Sequence, residues 1–236
     1  MRIEVMFAIV LLLPGLVQAD FTLLDADFDD KTVGDPIGVG GAVLGEPIEV
    51  VTSHISAIVQ DTPFDTPCLE HVRVVEGGSA WSVWEFIGGA SVDVGNVFFS
   101  VDLWFDTQES FSIKLNAAGS WGSKFCEIYT TPDGIIRLSD AAGYYGVIGN
   151  FVAGRLYNLQ VNLDTVADTY DVFIDGSPVV EGRSHGIVDV GVGRVSFTVS
   201  HTTVVGAELS IDNLMVTADE YTPTEAGTFS SLKPLF

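Results

Sequence analysis

The feature that most constrains the fold is an alternation of side chains in which every second position is apolar. In NVFFSVDLWFD, residues 96–106, one such set consists of Val97, Phe99, Val101, Leu103 and Phe105. Successive side chains of a strand point to opposite sides of a sheet, so this pattern predicts a strand with one buried face. No window of a dozen residues shows the 3.6-residue period of an amphipathic helix. The chain is therefore predicted to be all-β.

Ten segments with this alternation are predicted to be strands. They span residues 71–75, 79–87, 96–106, 110–116, 124–130, 134–140, 155–164, 169–175, 193–200 and 208–216. Turn residues separate them at short intervals, which is typical of a β-sandwich. We therefore expect an antiparallel two-sheet jelly-roll sandwich.

The turn chemistry supports hairpins at two places. Asp175-Gly176 joins two extended runs and favours a type I′ turn, because glycine tolerates the positive φ angle that this turn requires. Residues 131–134, Thr-Pro-Asp-Gly, predict a second hairpin. Pro178 has no N–H for a sheet ladder, so the second arm of the first hairpin is expected at a sheet edge or at an unpaired position. Residues 143–146 are bounded by glycine and are predicted to be a loop.

The N-terminal segment has the features of a secretory signal peptide. Arg2 precedes an apolar run from about Val5 to Val17, and small residues lead up to Asp20. We therefore expect residues 1–19 to be a signal peptide, residues 20–218 a single domain and residues 219–236 a C-terminal tail. No later segment is long and apolar enough to span a bilayer. The expected location is outside the cytoplasm, extracellular or periplasmic, with no insertion into a membrane.

The charge balance narrows the possible partners. The chain has 10 Lys and Arg residues against 32 Asp and Glu, a formal net charge of −22. So acidic a chain is not expected to bind nucleic acid or an anionic membrane surface. Cations and neutral polymers remain compatible with it.

Two cysteines, Cys68 and Cys126, are the only ones in the chain. An even number of cysteines in an exported protein predicts a disulfide. The alternative is a pair of separate buried thiols, because a bridge requires Cα atoms within about 7 Å of each other.

The order of several segments resembles the concanavalin A-like lectin/glucanase superfamily, including its laminin-G-like members. The resemblance runs from Leu23 to Val216. Its segments are LLDADFDDKTVGD, SVDLWFD, YNLQVNLD leading into YDVFIDG, and SIDNLMV. The resemblance implies a jelly roll but leaves the function open, because this fold is used by lectins, glycosidases, lyases and adhesion modules.

The catalytic motifs that this resemblance suggests are not matched. Glycosidases of this fold carry Glu-x-Asp-x-Glu on one strand, and none of Glu85, Glu127 and Glu208 begins such a sequence. Polysaccharide lyases of this fold carry Gln-Ile/Val-His, whereas the chain has Gln160-Val161-Asn162, with asparagine in place of the histidine. A non-catalytic role is therefore the preferred interpretation.

A candidate carbohydrate-binding face follows from the same alternation. Its residues are Asp102, Trp104, Asn158, Gln160 and Asn162, all opposite the predicted apolar face of their strands. An aromatic ring beside amide and carboxylate groups can stack on a sugar and hydrogen-bond its hydroxyls. The alternative is that Trp104 packs under a loop and that the polar residues form a solvated sheet face.

An acidic cluster near the N-terminus raises the question of a metal site. Asp25, Asp27 and Asp29 have EF-hand spacing, but Asp30 stands where glycine is needed and Pro36 where the glutamate belongs. In the jelly-roll carbohydrate modules that the chain resembles, a structural Ca²⁺ joins an early acidic segment to an aspartate of the closing strand. The resemblance therefore implies Asp25, Asp27 and Asp212 as ligands. Simple solvation of these acids is the alternative.

These observations together predict a secreted, non-catalytic carbohydrate-binding or adhesion module whose partner is a polysaccharide or another glycan. A glycan-active hydrolase or lyase on the same fold is the first alternative, and a structural extracellular protein is the second. The sequence leaves the oligomeric state open.

Overall fold

A computed structural model describes residues 21–40, 45–120, 122–187 and 190–220. The predicted signal peptide and most of the predicted tail lie outside the described residues. The strands are β1 Phe21–Ala26, β2 Glu49–Val50, β3 Ile55–Gln60, β4 Cys68–Arg73, β5 Ala80–Glu85, β6 Asn96–Phe105, β7 Phe111–Ala117, β8 Lys124–Thr130, β9 Ile135–Asp140, β10 Gly143–Asn150, β11 Leu156–Asp164, β12 Thr169–Ile174, β13 Ser177–Ser184, β14 Val192–Val199 and β15 Glu208–Ala218. A short 3-10 helix covers Ile87–Gly89. In this described part, no helix has the length and apolar composition needed to cross a bilayer.

The strands form two antiparallel sheets. The eight-stranded sheet has the order β13-β12-β11-β6-β15-β4-β3, with β1 paired to β15, and the seven-stranded sheet has the order β10-β9-β8-β7-β14-β5-β2. Each sheet has one apolar face because of the alternation, and the two apolar faces bury each other. The predicted jelly-roll sandwich is confirmed.

The core includes the apolar residues of β6 that the alternation predicted. Val97, Phe99, Val101, Leu103 and Phe105 are all buried, in one cluster with apolar residues of the seven-stranded sheet. Phe98 and Trp104, on the other side of β6, are exposed and half-buried respectively. The core-facing side of β6 was thus correctly predicted.

Both predicted hairpins are present. Asp175 and Gly176 have φ angles of 52° and 72°, which a type I′ turn requires at its two central residues. Strand β13, which contains Pro178, is an edge strand, as expected for a strand with a missing N–H. In the second hairpin, the Gly134 N–H donates to the Thr131 carbonyl at 2.9 Å.

The prediction of a loop at residues 143–146 is wrong, because this segment begins the edge strand β10. Three glycines and two shifts of register interrupt the alternation of β10, so its sequence does not look like a strand. Strand β1 was not predicted for a related reason. A register shift near Leu24 places Leu23 and Leu24, which are consecutive, both in the core.

The predicted disulfide is also wrong, since Cys68 and Cys126 are free and buried. Cys126 belongs to the core between the sheets. Cys68 precedes the core residue Leu69 on β4 and therefore points to the other side of that strand. There its Sγ donates to the Thr62 carbonyl at 3.1 Å. The eight-stranded sheet therefore separates the two thiols.

Titration with Ellman's reagent should detect two thiols per chain in the unfolded, non-reduced protein. In the folded protein both should react slowly, because the thiolate is the reactive form. Burial and the nearby charge of Asp212 raise the pKa of Cys68 to about 12, and burial also raises the pKa of Cys126. Finding no thiol after unfolding would show that the cysteines are bridged.

Candidate functional site

The two outer faces of the sandwich carry different charges. The outward positions of the eight-stranded sheet, called here the acidic face, hold the carboxylates Glu70, Asp102, Asp164, Asp171, Glu208 and Asp212. The outward positions of the seven-stranded sheet, called here the mixed face, hold the cations Lys114, Lys124, Arg137 and Arg194 beside the carboxylates Glu49, Glu85 and Glu127. Both faces are candidates for binding.

Three of the predicted sugar-binding residues form a connected network on the acidic face. The register of β6 and β11 places Asn158 opposite Asp102, and the Asn158 Nδ2 donates to the Asp102 Oδ1 at 2.7 Å. The Gln160 Nε2 donates to the Asn158 Oδ1 at 2.8 Å. Asn213 on β15 also donates to Asp102, at 2.9 Å. These hydrogen bonds hold the side chains in fixed orientations.

Asn162 lies on the same face, beside a shallow depression of about 210 Å³. Gln160 and Asn162 form one wall, and the exposed apolar side chains of Phe98 and Met215 also line it. Trp104 is not among the lining residues and stands opposite Leu156 and Ser210. The structure thus gathers Asp102, Asn158, Gln160 and Asn162 but leaves Trp104 outside this depression. Sugar binding by these residues stays a prediction.

Glu208 lies near Trp104 on the acidic face, close to the carboxylates of Glu70 and Asp106. Burial and the charges of Glu70 and Asp106 raise the pKa of Glu208 to about 7, although a hydrogen bond from the Ser210 hydroxyl at 2.7 Å acts in the opposite direction. Glu208 therefore keeps its proton in the folded protein at a pH at which a glutamate in the unfolded chain has lost it.

Replacing Glu208 with glutamine should stabilise the protein more at pH 8 than at pH 4. The folded pKa of about 7 lies above the ordinary 4.5. The wild-type protein therefore loses stability as the pH rises through this window, and the loss is complete above the folded pKa. Urea unfolding of both proteins at the two pH values measures the difference. Glu181→Gln, at an exposed position, is the control, and an equal pH effect in the two variants would contradict the prediction.

The predicted calcium ligands do not form a shared site in the structure. Asp25 and Asp27 are exposed, whereas Asp212 is buried and accepts hydrogen bonds from the Thr66 hydroxyl and the Asn213 N–H, both at 2.7 Å. In the described ranges, no group of three His, Cys, Asp or Glu side chains could hold a metal ion. Calcium binding therefore stays a prediction from the sequence.

A charged cluster lies on the mixed face, on strands β7, β8 and β9. The Glu127 carboxylate is 3.2 Å from the Lys114 Nζ and 2.5 Å from the Lys124 Nζ. The Ser139 hydroxyl accepts from Lys124 at 2.9 Å and donates to Glu127 at 3.1 Å. Burial by itself would raise the pKa of Glu127, but the two lysines outweigh it and lower that pKa. Glu127 is therefore a permanent hydrogen-bond acceptor at neutral pH.

Beside this cluster lies an open groove of about 390 Å³. Eight of its twelve lining residues are serine or threonine, among them Ser112, Ser139 and Thr198. The half-buried Tyr129 adds an aromatic ring. Hydroxyls both donate and accept hydrogen bonds, and an aromatic ring supplies a stacking surface, so the groove matches the chemistry of a polyhydroxylated ligand.

This groove was not predicted, although its strands were. The alternation predicts strands at residues 110–116, 124–130 and 134–140. It does not show that these strands pair and bring their outward residues together. A signal was present in the sequence. Lysine and arginine are scarce in the chain, and Lys114 and Arg137 alternate with the apolar residues of their strands. Lys124 breaks the alternation, because it has the parity of the core residue Cys126 and a register shift turns it outward.

No protein-family model and no curated protein matches the sequence. Solved structures do match. The catalytic domain of a GH131 β-glucanase from Podospora anserina has a TM-score of 0.55 at 12% identity, over 88% of this chain and 100% of that chain. A sialidase has a TM-score of 0.54 at 17% identity over 86% of this chain, which spans only 19% of that protein.

An alginate lyase in complex with dimannuronate has a TM-score of 0.51 at 8% identity, over 66% of this chain and 76% of that chain. At such low identity these similarities concern the fold. The matched structures are β-sandwich jelly rolls. The chain therefore shares their jelly-roll fold.

Proposed function

We propose that the protein is a non-catalytic carbohydrate-binding module and that it binds a polysaccharide at the groove of the mixed face. The observation that carries the proposal is the set of hydroxyl side chains in that groove, beside Tyr129 and Glu127. The fold supports the carbohydrate-related part of this proposal, since structures with a similar fold are named as a β-glucanase, a sialidase and an alginate lyase. We also propose that the protein is exported, on the basis of its N-terminal segment.

At the groove of the mixed face, the state of Glu127 favours binding over catalysis. A glycosidase needs one carboxylic acid that stays protonated to donate to the leaving group, beside a second carboxylate. Lys114 and Lys124 lower the pKa of Glu127, so this carboxyl group carries no proton to donate at neutral pH. A carboxylate held in this way instead accepts hydrogen bonds from sugar hydroxyls.

Replacing Tyr129 with alanine should weaken glycan binding about tenfold, because loss of a stacking contact costs about 0.5–1.5 kcal/mol beyond the buried area. A glycan array on the wild-type protein identifies a ligand, and calorimetry then measures its affinity for each variant. The matched control is Trp104→Ala, which removes an aromatic side chain from the acidic face. It should leave the affinity unchanged.

The opposite result has a definite meaning. If Trp104→Ala weakens binding and Tyr129→Ala does not, the acidic face is the binding face and the proposed groove is not the site. If no glycan on the array binds, the carbohydrate-binding function itself is wrong. Release of reducing or unsaturated sugar ends from the bound glycan would show that the protein is an enzyme.

A further inference from the structure

The cations of this acidic chain are concentrated on one face. Eight Lys and Arg residues lie in the described part of the chain, and Lys114, Lys124, Arg137 and Arg194 on the mixed face make up half of them. These four cations outnumber the three carboxylates of the mixed face by one, so the face carries a small net positive charge. Within the residues described, the outward positions of the eight-stranded sheet carry several carboxylates and no lysine or arginine, since Arg183 turns to the buried Asp140.

This local excess acts on a bound polymer despite the net charge of the chain. Charges on the opposite side of the sandwich are farther away than the Debye length, which is about 8 Å at physiological ionic strength. A polymer lying in the groove therefore interacts mainly with the mixed face. In the cluster around Glu127, two ammonium groups share one carboxylate, which leaves one positive charge uncompensated.

Arg137 provides the most specific feature of the mixed face. Arg137 lies beside the groove and is not one of its lining residues. Its position on β9 is opposite Tyr129, and Ser139, which does line the groove, stands two positions further along the same strand. The described residues contain no ion-pair partner for Arg137, and its buried Nε lacks a hydrogen-bond partner. A guanidinium presents parallel N–H groups that match the two oxygens of a carboxylate.

A second buried polar group on this face also lacks a partner. Ser196 on β14 is opposite Lys114 and points away from the core side of its strand. The residue is 2% exposed, and its Oγ has no hydrogen-bond partner among the residues that the structure describes. Among the described residues of the mixed face, two buried polar atoms, the Arg137 Nε and the Ser196 Oγ, therefore lack a hydrogen-bond partner.

We propose that the polysaccharide bound at the groove is a polyuronate, a sugar polymer with one carboxylate on each acidic ring. This inference rests on the proposed function and specifies its ligand. Arg137 binds a ring carboxylate, Lys114 and Lys124 supply the positive potential, and the groove hydroxyls bind the ring hydroxyls. A neutral polymer would hydrogen-bond to the groove hydroxyls and stack on Tyr129, but it has no carboxylate for Arg137 to bind.

The test compares polymers that differ only in their carboxylates. Polygalacturonate, polymannuronate and polyguluronate are titrated against the full chain, each beside the same polymer after reduction of its carboxyls to alcohols. We expect at least one polyuronate to bind, with at least tenfold weaker binding of its reduced form. Raising the salt concentration should weaken binding of the polyuronate.

Variants then assign the effect to the proposed residue. Arg137→Gln should weaken polyuronate binding about tenfold and leave the affinity for the reduced polymer unchanged. The control is Arg155→Gln, which removes the same charge from an exposed side chain that is paired with Asp175. It should bind like the wild type, and thermal unfolding of both variants confirms that they are folded.

Four outcomes would overturn the inference. Equal affinity for a polyuronate and its reduced form, or binding of neutral polymers alone, would refute the polyuronate while leaving the proposed function intact. Equal binding of dextran sulfate would show that charge alone is recognised and not the carboxylate. If no polysaccharide binds, the proposed function fails as well.

Discussion

Replacing Asp140 with alanine should lower the free energy of unfolding by about 3 kcal/mol, the lower end of the range for breaking a buried ion pair. Its side chain is fully buried and accepts hydrogen bonds from the Tyr170 hydroxyl at 2.8 Å and from the Arg183 Nε at 2.8 Å. These partners lie on β12 and β13 of the eight-stranded sheet, whereas Asp140 ends β9 of the other sheet. The substitution would leave a buried hydroxyl and a guanidinium without their acceptor.

Urea unfolding of the two proteins measures this loss. Tyr170→Phe is the matched comparison, because it removes one hydrogen bond and leaves the ion pair intact. It should cost about 1 kcal/mol. If Asp140→Ala costs no more than Tyr170→Phe, the ion pair between the sheets does not contribute to stability.

Replacing Trp84 with alanine should lower the free energy of unfolding by about 3–5 kcal/mol, since a large aromatic side chain leaves a cavity in a packed core. Trp84 is fully buried on β5 and packs edge-on against Phe197, with ring centroids 5.5 Å apart. Its indole N–H donates to the Gly45 carbonyl at 3.2 Å, so the substitution also releases the segment before β2.

The matched control is Trp81→Ala, on the same strand but on the mixed face, where the side chain is half-buried. It should cost clearly less than Trp84→Ala in the same urea experiment. Equal losses for the two tryptophans would contradict the assignment of Trp84 to the core and Trp81 to the outer face.

Most of the fold could be predicted from the sequence because its main signal is local. The alternation around Phe99 and Leu103 reports which side of a strand is buried, and Asp175-Gly176 reports a turn through its own backbone preferences. Two of the strands that were not predicted, β10 and β1, are strands in which this signal is interrupted, whereas β3 was missed although its alternation is intact. In β10, glycines and register shifts break it, and in β1 two consecutive leucines enter the core.

The sequence by itself determined most of the strands, their buried sides and the sandwich, since each depends on residues close together in the chain. Tertiary structure alone decided which outward side chains meet. Lys114, Glu127 and Ser139 come from three strands whose pairing creates the charged cluster, and the same arrangement places Cys68 and Cys126 on opposite sides of a sheet. The physical reason is that strand order and register are set by the packing of the whole sandwich, which no local pattern records.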